Sequence, residues 1–132
     1  MTSRIALSHV VFVALTLAGC GNNKLTSVTI TPATADARNF ANGRVQFTAT
    51  GTFDSSSNPV PLTNVHWCVG SSNGSCNGNI ASSASIDSNG LAICTGVLNG
   101  TATILAGSIN SMGMPDQGGT LSVFGTAKLT CP

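Results

Sequence analysis

The sequence has no glutamate, no tyrosine, a single tryptophan and only 7% charged residues among its 132. Helices in soluble proteins are built largely from Ala, Leu, Glu, Lys, Gln and Arg. A chain with no Glu and two Lys is poorly supplied for a helical bundle. The formal net charge is +1, without a basic cluster, so there is no footprint for a phosphate backbone and nucleic-acid binding is disfavoured. No G-x-S-x-G, C-x2-C pair, internal repeat or heptad pattern occurs. What is present is Gly, Ser, Thr and Asn in quantity, with β-branched residues in short bursts. That composition predicts a small all-β domain with many turns.

Residues 1–19 stand apart from the rest. Arg4 gives a positive start, and Ile5 to Ala18 is mostly apolar but short of the roughly 20 residues that span a bilayer. Small residues then lead into Cys20. This is the layout of a secretory signal peptide. Leu17-Ala18-Gly19-Cys20 resembles the lipobox of bacterial lipoproteins. That resemblance implies cleavage before Cys20, a diacylglyceryl group on its thiol and acylation of the new amino terminus. Gly21 stands where such proteins, when retained on the inner membrane of a Gram-negative cell, often carry Asp. The implied location is the cell envelope, and the outer membrane if the host is Gram-negative. The competing readings are an ordinary secretory signal with a chance Cys and a short uncleaved anchor, the latter weakened by His9.

Removing residues 1–19 leaves 113 residues, with four Lys plus Arg against four Asp. One domain fits this length. Residues 20–24 form a short lipid-anchored tether, and 25–132 the domain. Its charge balance leaves little to steer a charged partner.

Seven strands are expected. Leu25 to Thr31 puts Val28 and Ile30 on one face, and Pro32 ends it. Arg44 to Phe53 alternates for ten residues, with Val45, Phe47, Ala49, Gly51 and Phe53 inward. Asn64 to Val69 places Val65, Trp67 and Val69 inward and His66 and Cys68 outward. Ala84 to Asp87, Leu91 to Thr95 and Thr101 to Ala106 are short strands separated by Ser88-Asn89-Gly90 and Asn99-Gly100 turns. Thr120 to Cys131 is long, and its inward phase slips, which suggests a bulge or bend at Gly125. Seven strands in about 100 residues describe an Ig-like two-sheet β-sandwich, with a core that includes Trp67, Phe47, Ile30 and Ile104.

Four stretches also resemble the bacterial Ig-like domain, group 2. Val28-Thr29-Ile30-Thr31-Pro32-Ala33 is similar to its opening V-x-I-x-P strand. Asn42 to Phe53 is similar to G-x-x-x-Q-F-T-A-T-[AG]-T-[FY], and Val65-His66-Trp67 to V-x-W. Ala84 to Ala92 and Gly96 to Ile104 are similar to A-x-[IV]-D-x-x-G-L-[AV] and G-x-x-x-G-T-A-T-I. Together they span most of residues 25–106. The chain departs from that family in four added cysteines and in a thirteen-residue connection, Gly107 to Gly119, before the last strand. Any specific role is expected in these additions.

With Cys20 assigned to lipid, Cys68, Cys76, Cys94 and Cys131 remain. An even number in an exported chain points to two disulfides. Three connectivities are possible. Cys68–Cys76 with Cys94–Cys131 is preferred, because the first closes a local loop and the second ties the last strand to an earlier one. A four-thiolate zinc site is the rival, and the wide C-x7-C-x17-C-x36-C spacing disfavours it.

Nothing in the chain forms a catalytic set. His66 is the one histidine outside the signal, on an outward strand phase, and a Ser-His-Asp arrangement would need it. Asp36, Asp54, Asp87 and Asp116 all lie in or beside loops, where Asp serves turns. Asp87-Ser88-Asn89-Gly90 has a faint calcium-loop look but lacks the further carboxylates. It reads as an Asp-capped turn, and Asn73-Gly74-Ser75 and Asn99-Gly100-Thr101 read as turns too. The connection Gly107 to Gly119 is different. Its Met112, Met114 and Pro115 are apolar and stand beside Asp116. Loops at sandwich ends carry binding, and flexible thioethers suit an adaptable contact. The bland alternative is a Gly-rich connector. Asp54 to Thr63 could share the same end.

The expected function is a lipid-anchored envelope module with a structural or binding role toward a protein or glycan, without cofactor, metal or catalysis. The alternatives are an envelope enzyme or ligand carrier, and an accessory subunit of a larger complex.

Overall fold

The computed structural model describes residues 23–77, 82–96, 98–109 and 119–132. Among them the chain is all-β, with ten strands and two single 3₁₀ turns. The strands are β1 (Leu25–Thr31), β2 (Thr34–Asp36), β3 (Arg44–Gln46), β4 (Thr48–Phe53), β5 (Ser56–Pro61), β6 (His66–Gly70), β7 (Ala84–Ile86), β8 (Leu91–Cys94), β9 (Gly100–Ile109) and β10 (Leu121–Cys131). They form three hydrogen-bonded sheets, ordered β1-β4-β5, β2-β10-β9-β6 and β3-β8-β7.

All seven expected strands are present, and three differences raise the number to ten. The run Arg44 to Phe53 divides at Phe47, where it changes partner: Arg44–Gln46 pair with β8, the Phe47 amide donates to the Gly90 carbonyl at 2.8 Å, and Thr48–Phe53 pair with β1. The break yields β3 and β4, and joins the two three-stranded sheets end to end. β2 follows the Pro32-Ala33 corner, where the chain leaves β4 and pairs in parallel with Lys128–Thr130 of β10. β5 pairs with β4 as an edge strand, and every one of its residues is exposed.

The layers pack in a sandwich-like arrangement around one main core. β1 and β4 contribute Val28, Ile30 and Ala49, and β3, β7 and β8 contribute Val45, Ala84 and Ala92. Facing them are Trp67 of β6, Ala102, Ile104 and Ala106 of β9, and Ala127, Leu129 and Cys131 of β10. Phe47 lies among them, fully buried. Trp67, Phe47, Ile30 and Ile104 thus share one cluster, as their strand phases predict. Many inward positions are Ala, so the layers approach closely. At Gly125, a Cβ would stand 2.6 Å from the Val28 carbonyl oxygen of the opposing layer.

That contact explains the glycine, and it corrects the expected bulge. Gly125 pairs regularly with Ala106, and the register shift falls between Leu121 and Val123. An extra residue there reverses the facing of the strand. Val123, Ala127, Leu129 and Cys131 turn toward the main core. Leu121 turns the other way, into a second small cluster with Leu105 and Cys76, against which Cys68 and Phe124 pack. The sheet β2-β10-β9-β6 is therefore covered on both faces.

Candidate functional site

The cover on the outer face is the Cys68–Cys76 loop. Cys68 takes the outward phase of β6, opposite to Trp67, and its disulfide partner stands eight residues on with a Cα–Cα distance of 5.7 Å. The loop between them turns at Gly74. The Ser71 amide donates to the Ser75 carbonyl at 2.9 Å and the Gly74 amide to the Ser71 carbonyl at 3.1 Å. Asn73 Oδ1 accepts from the Ser75 amide at 3.1 Å. The loop then bonds to the beginning of β10: the Leu121 amide donates to Gly74 and the Cys76 amide to Gly119, each at 2.9 Å. Gly74 has φ +86° and lies against the Phe124 ring, where a Cβ would be 2.5 Å from Cε1. Both the conformation and the space require glycine. The loop thus roofs Leu105, Leu121 and Phe124, and the disulfide holds the roof in place.

His66 shares this outward face and is partly buried. Its ring nitrogen and the Cys68 and Cys76 sulfurs lie within 4.8 Å of one another. The two sulfurs are bonded to each other, and metal ligation by cysteine uses the thiolate. In the oxidised chain this trio is a histidine beside a disulfide.

The second disulfide joins Cys94 of β8 to Cys131 at the end of β10, 37 residues apart, with a Cα–Cα distance of 5.6 Å. It links two sheets across the main core, and Cys131 is buried. Both pairings are the preferred ones of the three that four cysteines allow.

The Asp87 turn is built for structure. Asp87 Oδ1 accepts from the amides of Asn89 and Leu91, both at 2.9 Å. Gly90 has φ +81°, and a Cβ there would come within 2.5 Å of the Phe47 carbonyl and 3.0 Å of the Trp67 ring. Gln46 Nε2 donates to the Phe47 and Asn89 carbonyls, both at 2.8 Å. The side chain oxygen of Asp87 is thereby engaged with backbone amides, and the turn closes the core over Trp67. The other described carboxylates stand elsewhere. Asp54 Oδ1 accepts from the Lys24 amide at 3.1 Å. Asp36 caps the first 3₁₀ turn and receives Arg38: the Arg38 amide at 3.0 Å and a guanidinium fork with Nη2 at 2.6 Å. The hydrogen bonds from the Arg38 side chain, then from its amide, hold the Asp36 carboxyl below its ordinary value, and the same side-chain bond raises Arg38.

A shallow apolar cavity of about 310 Å³ opens at the end of the sandwich where the described chain begins. Leu25, Phe53, Val60, Pro61, Leu62 and Val65 line it. Gly107 and Ser108, near the end of β9, close its far side, and among the described residues no titratable side chain lines it. Leu25 and Leu62 meet over Gly51, where a Cβ would be 2.6 Å from Leu25 Cδ1 and 2.8 Å from Leu62 Cδ1. Val60 is 41% exposed. The Asp54 to Thr63 segment, expected as a loop at the same end as the Gly107 to Gly119 connection, contains the edge strand β5, and its Val60, Pro61, Leu62 and Thr63 line this cavity together with Gly107 and Ser108. β9 extends through Ile109, so the first residues of the expected Gly107 to Gly119 loop are strand, paired with Leu121–Phe124. Met112, Met114, Pro115 and Asp116 lie outside the described residues, as does Cys20.

No protein-family model matches the chain, and no curated protein is similar to it.

Proposed function

We propose that this chain is a lipid-anchored module of the bacterial cell envelope, an Ig-like two-sheet sandwich with a structural or binding role and no catalysis. The observation that carries the reading is Leu17-Ala18-Gly19-Cys20 at the end of a short apolar run that follows Arg4. Lipidation of Cys20 leaves four cysteines, and these form two intramolecular disulfides, which suits an oxidising compartment outside the cytoplasm. The Ig-like reading is supported by the way β3 and β4 run end to end, so that β1-β4-β5 and β3-β8-β7 make one layer against β2-β10-β9-β6. On this view the disulfide across the core and the roofed outer face serve durability in an oxidising environment outside the cytoplasm.

Intact mass of the protein purified from the envelope of an expressing bacterium tests the reading. The expected mass lacks residues 1–19, carries a diacylglyceryl group with or without a third acyl chain, and includes both disulfides. Cys20→Ala should prevent lipidation and the cut before residue 20, giving a mass without acyl chains that retains residues 1–19. A lipid-free mass for the unaltered chain, cut elsewhere or uncut, refutes the anchor.

A further inference from the structure

We infer that the apolar cavity bounded by Leu25, Phe53, Val60 and Leu62 docks on the lipid surface in which Cys20 is anchored, so that the sandwich rests end-on against its membrane. This rests on the lipid-anchor reading. Leu25 is both the first strand residue and part of the cavity. It follows Cys20 by five residues, which reach at most about 18 Å when fully extended. β9 begins at Gly100, far from the cavity, and reaches Ser108 at its wall. Its length of ten residues corresponds to about 30 Å. Of the two ends of the sandwich, the anchor therefore holds the cavity end to the bilayer.

That end is suited to the contact. Its lining is mainly apolar, with Thr63, Asn64 and Ser108 as its polar members, while Val60 faces water and β5 has no buried residue. Lys24, the last residue of the tether, and Asp54, whose carboxylate accepts from the Lys24 backbone amide, stand together at this end with opposite formal charges. The attraction is therefore hydrophobic, insensitive to salt and indifferent to anionic headgroups, unlike a polybasic contact. Each apolar side chain is placed where the headgroup and acyl regions meet, the depth at which interfacial segments bury their apolar faces.

The test places tryptophan reporters at two exposed positions, Asn58→Trp in β5 and Asn99→Trp beside the far end of β9, with buried Trp67 common to both. The lipidated proteins are reconstituted in phosphatidylcholine vesicles containing brominated acyl chains. A parallel set replaces residues 1–22 by a histidine tag bound to nickel-chelating lipid, since the described core and both disulfides lie within residues 25–131. Quenching is expected at position 58 and not at 99, unchanged by added salt and lost when Val60→Asp is added. Circular dichroism and intact disulfides check that this exposed substitution leaves the fold in place. Equal quenching at both positions, none at 58, or quenching that survives Val60→Asp overturns the inference. So does a concentration-dependent dimer in vesicle-free solution that Val60→Asp abolishes, if it comes without quenching at 58, because the cavity would then receive a second copy. If the native chain carries no lipid, the anchor reading fails on mass alone, while the tagged set still reports whether the cavity meets the bilayer.

Discussion

Removing one disulfide at a time should reveal unequal contributions. Cys94–Cys131 spans 37 residues and Cys68–Cys76 spans eight. In the chain-entropy account, cross-linking limits the unfolded ensemble by about 3.8 kcal/mol for the longer loop and about 2.5 kcal/mol for the shorter. The double variant Cys94→Ala/Cys131→Ala should therefore lose about 1.3 kcal/mol more stability than Cys68→Ala/Cys76→Ala, or roughly tenfold in the folding equilibrium. Each variant also loses one buried sulfur, Cys131 or Cys76, so the cavity cost falls on both and leaves the loop-length difference in place. Urea unfolding followed by Trp67 fluorescence measures both. The longer-loop variant should also show the larger increase in denaturant slope, because its unfolded chain expands more. Equal losses, or a larger loss for the short loop, would refute the entropic reasoning. They would assign the role of Cys68–Cys76 to holding the roof over Leu105, Leu121 and Phe124, and hydrogen exchange would then rise at the start of β10.

Three further outcomes follow from the packing and the charges. Gly125→Ala places a Cβ 2.6 Å from the Val28 carbonyl and should cost about 1–3 kcal/mol in urea unfolding, as overpacking does. Leu105→Ala removes a fully buried side chain from the small outer cluster and should cost about 2–5 kcal/mol, with calorimetry as the measure. In an NMR titration the Asp36 carboxyl should have its midpoint below 3.8, and Arg38→Ala should raise it. The sign follows: a depressed folded value gives stability that is present above the unfolded value and is lost as pH falls through the folded one. Because the pair is exposed, that loss is small and confined to acid.

Much of the fold is legible because the inward phases are regular. Arg44 to Phe53 alternates cleanly, and Trp67 with Val65 and Val69 faces the core while Cys68 points away. The sequence does not reveal the change of partner at Phe47, whose amide donates to a carbonyl 43 residues further on. β2 is three residues long and shows no period, and β5 reads Ser-Ser-Asn-Pro-Val-Pro, a polar loop by composition. The outer cluster is hidden for a different reason. Ile104, Leu105 and Ala106 are consecutive apolar residues, and such a run marks burial on both faces without saying what covers the second. The cysteines supply the answer only after Cys68 is known to close on Cys76. Of the candidate site, the presence of two disulfides is legible from the even number of cysteines, while their connectivity is one preferred choice among three until the structure pairs them. The apolar cavity is not legible, since Leu25, Phe53, Val60 and Gly107 meet only through the pairing of β1, β4 and β5 and the placement of β9.

The composition of β5 has one more consequence. Of its six residues, Pro59 and Pro61 carry no amide hydrogen, and the pairing with β4 is irregular between Gly51 and Phe53. A margin so poor in donors is a bad template for a neighbour's chain. Copies crowded side by side at high density should stay separate particles, without knitting into fibrils through that seam.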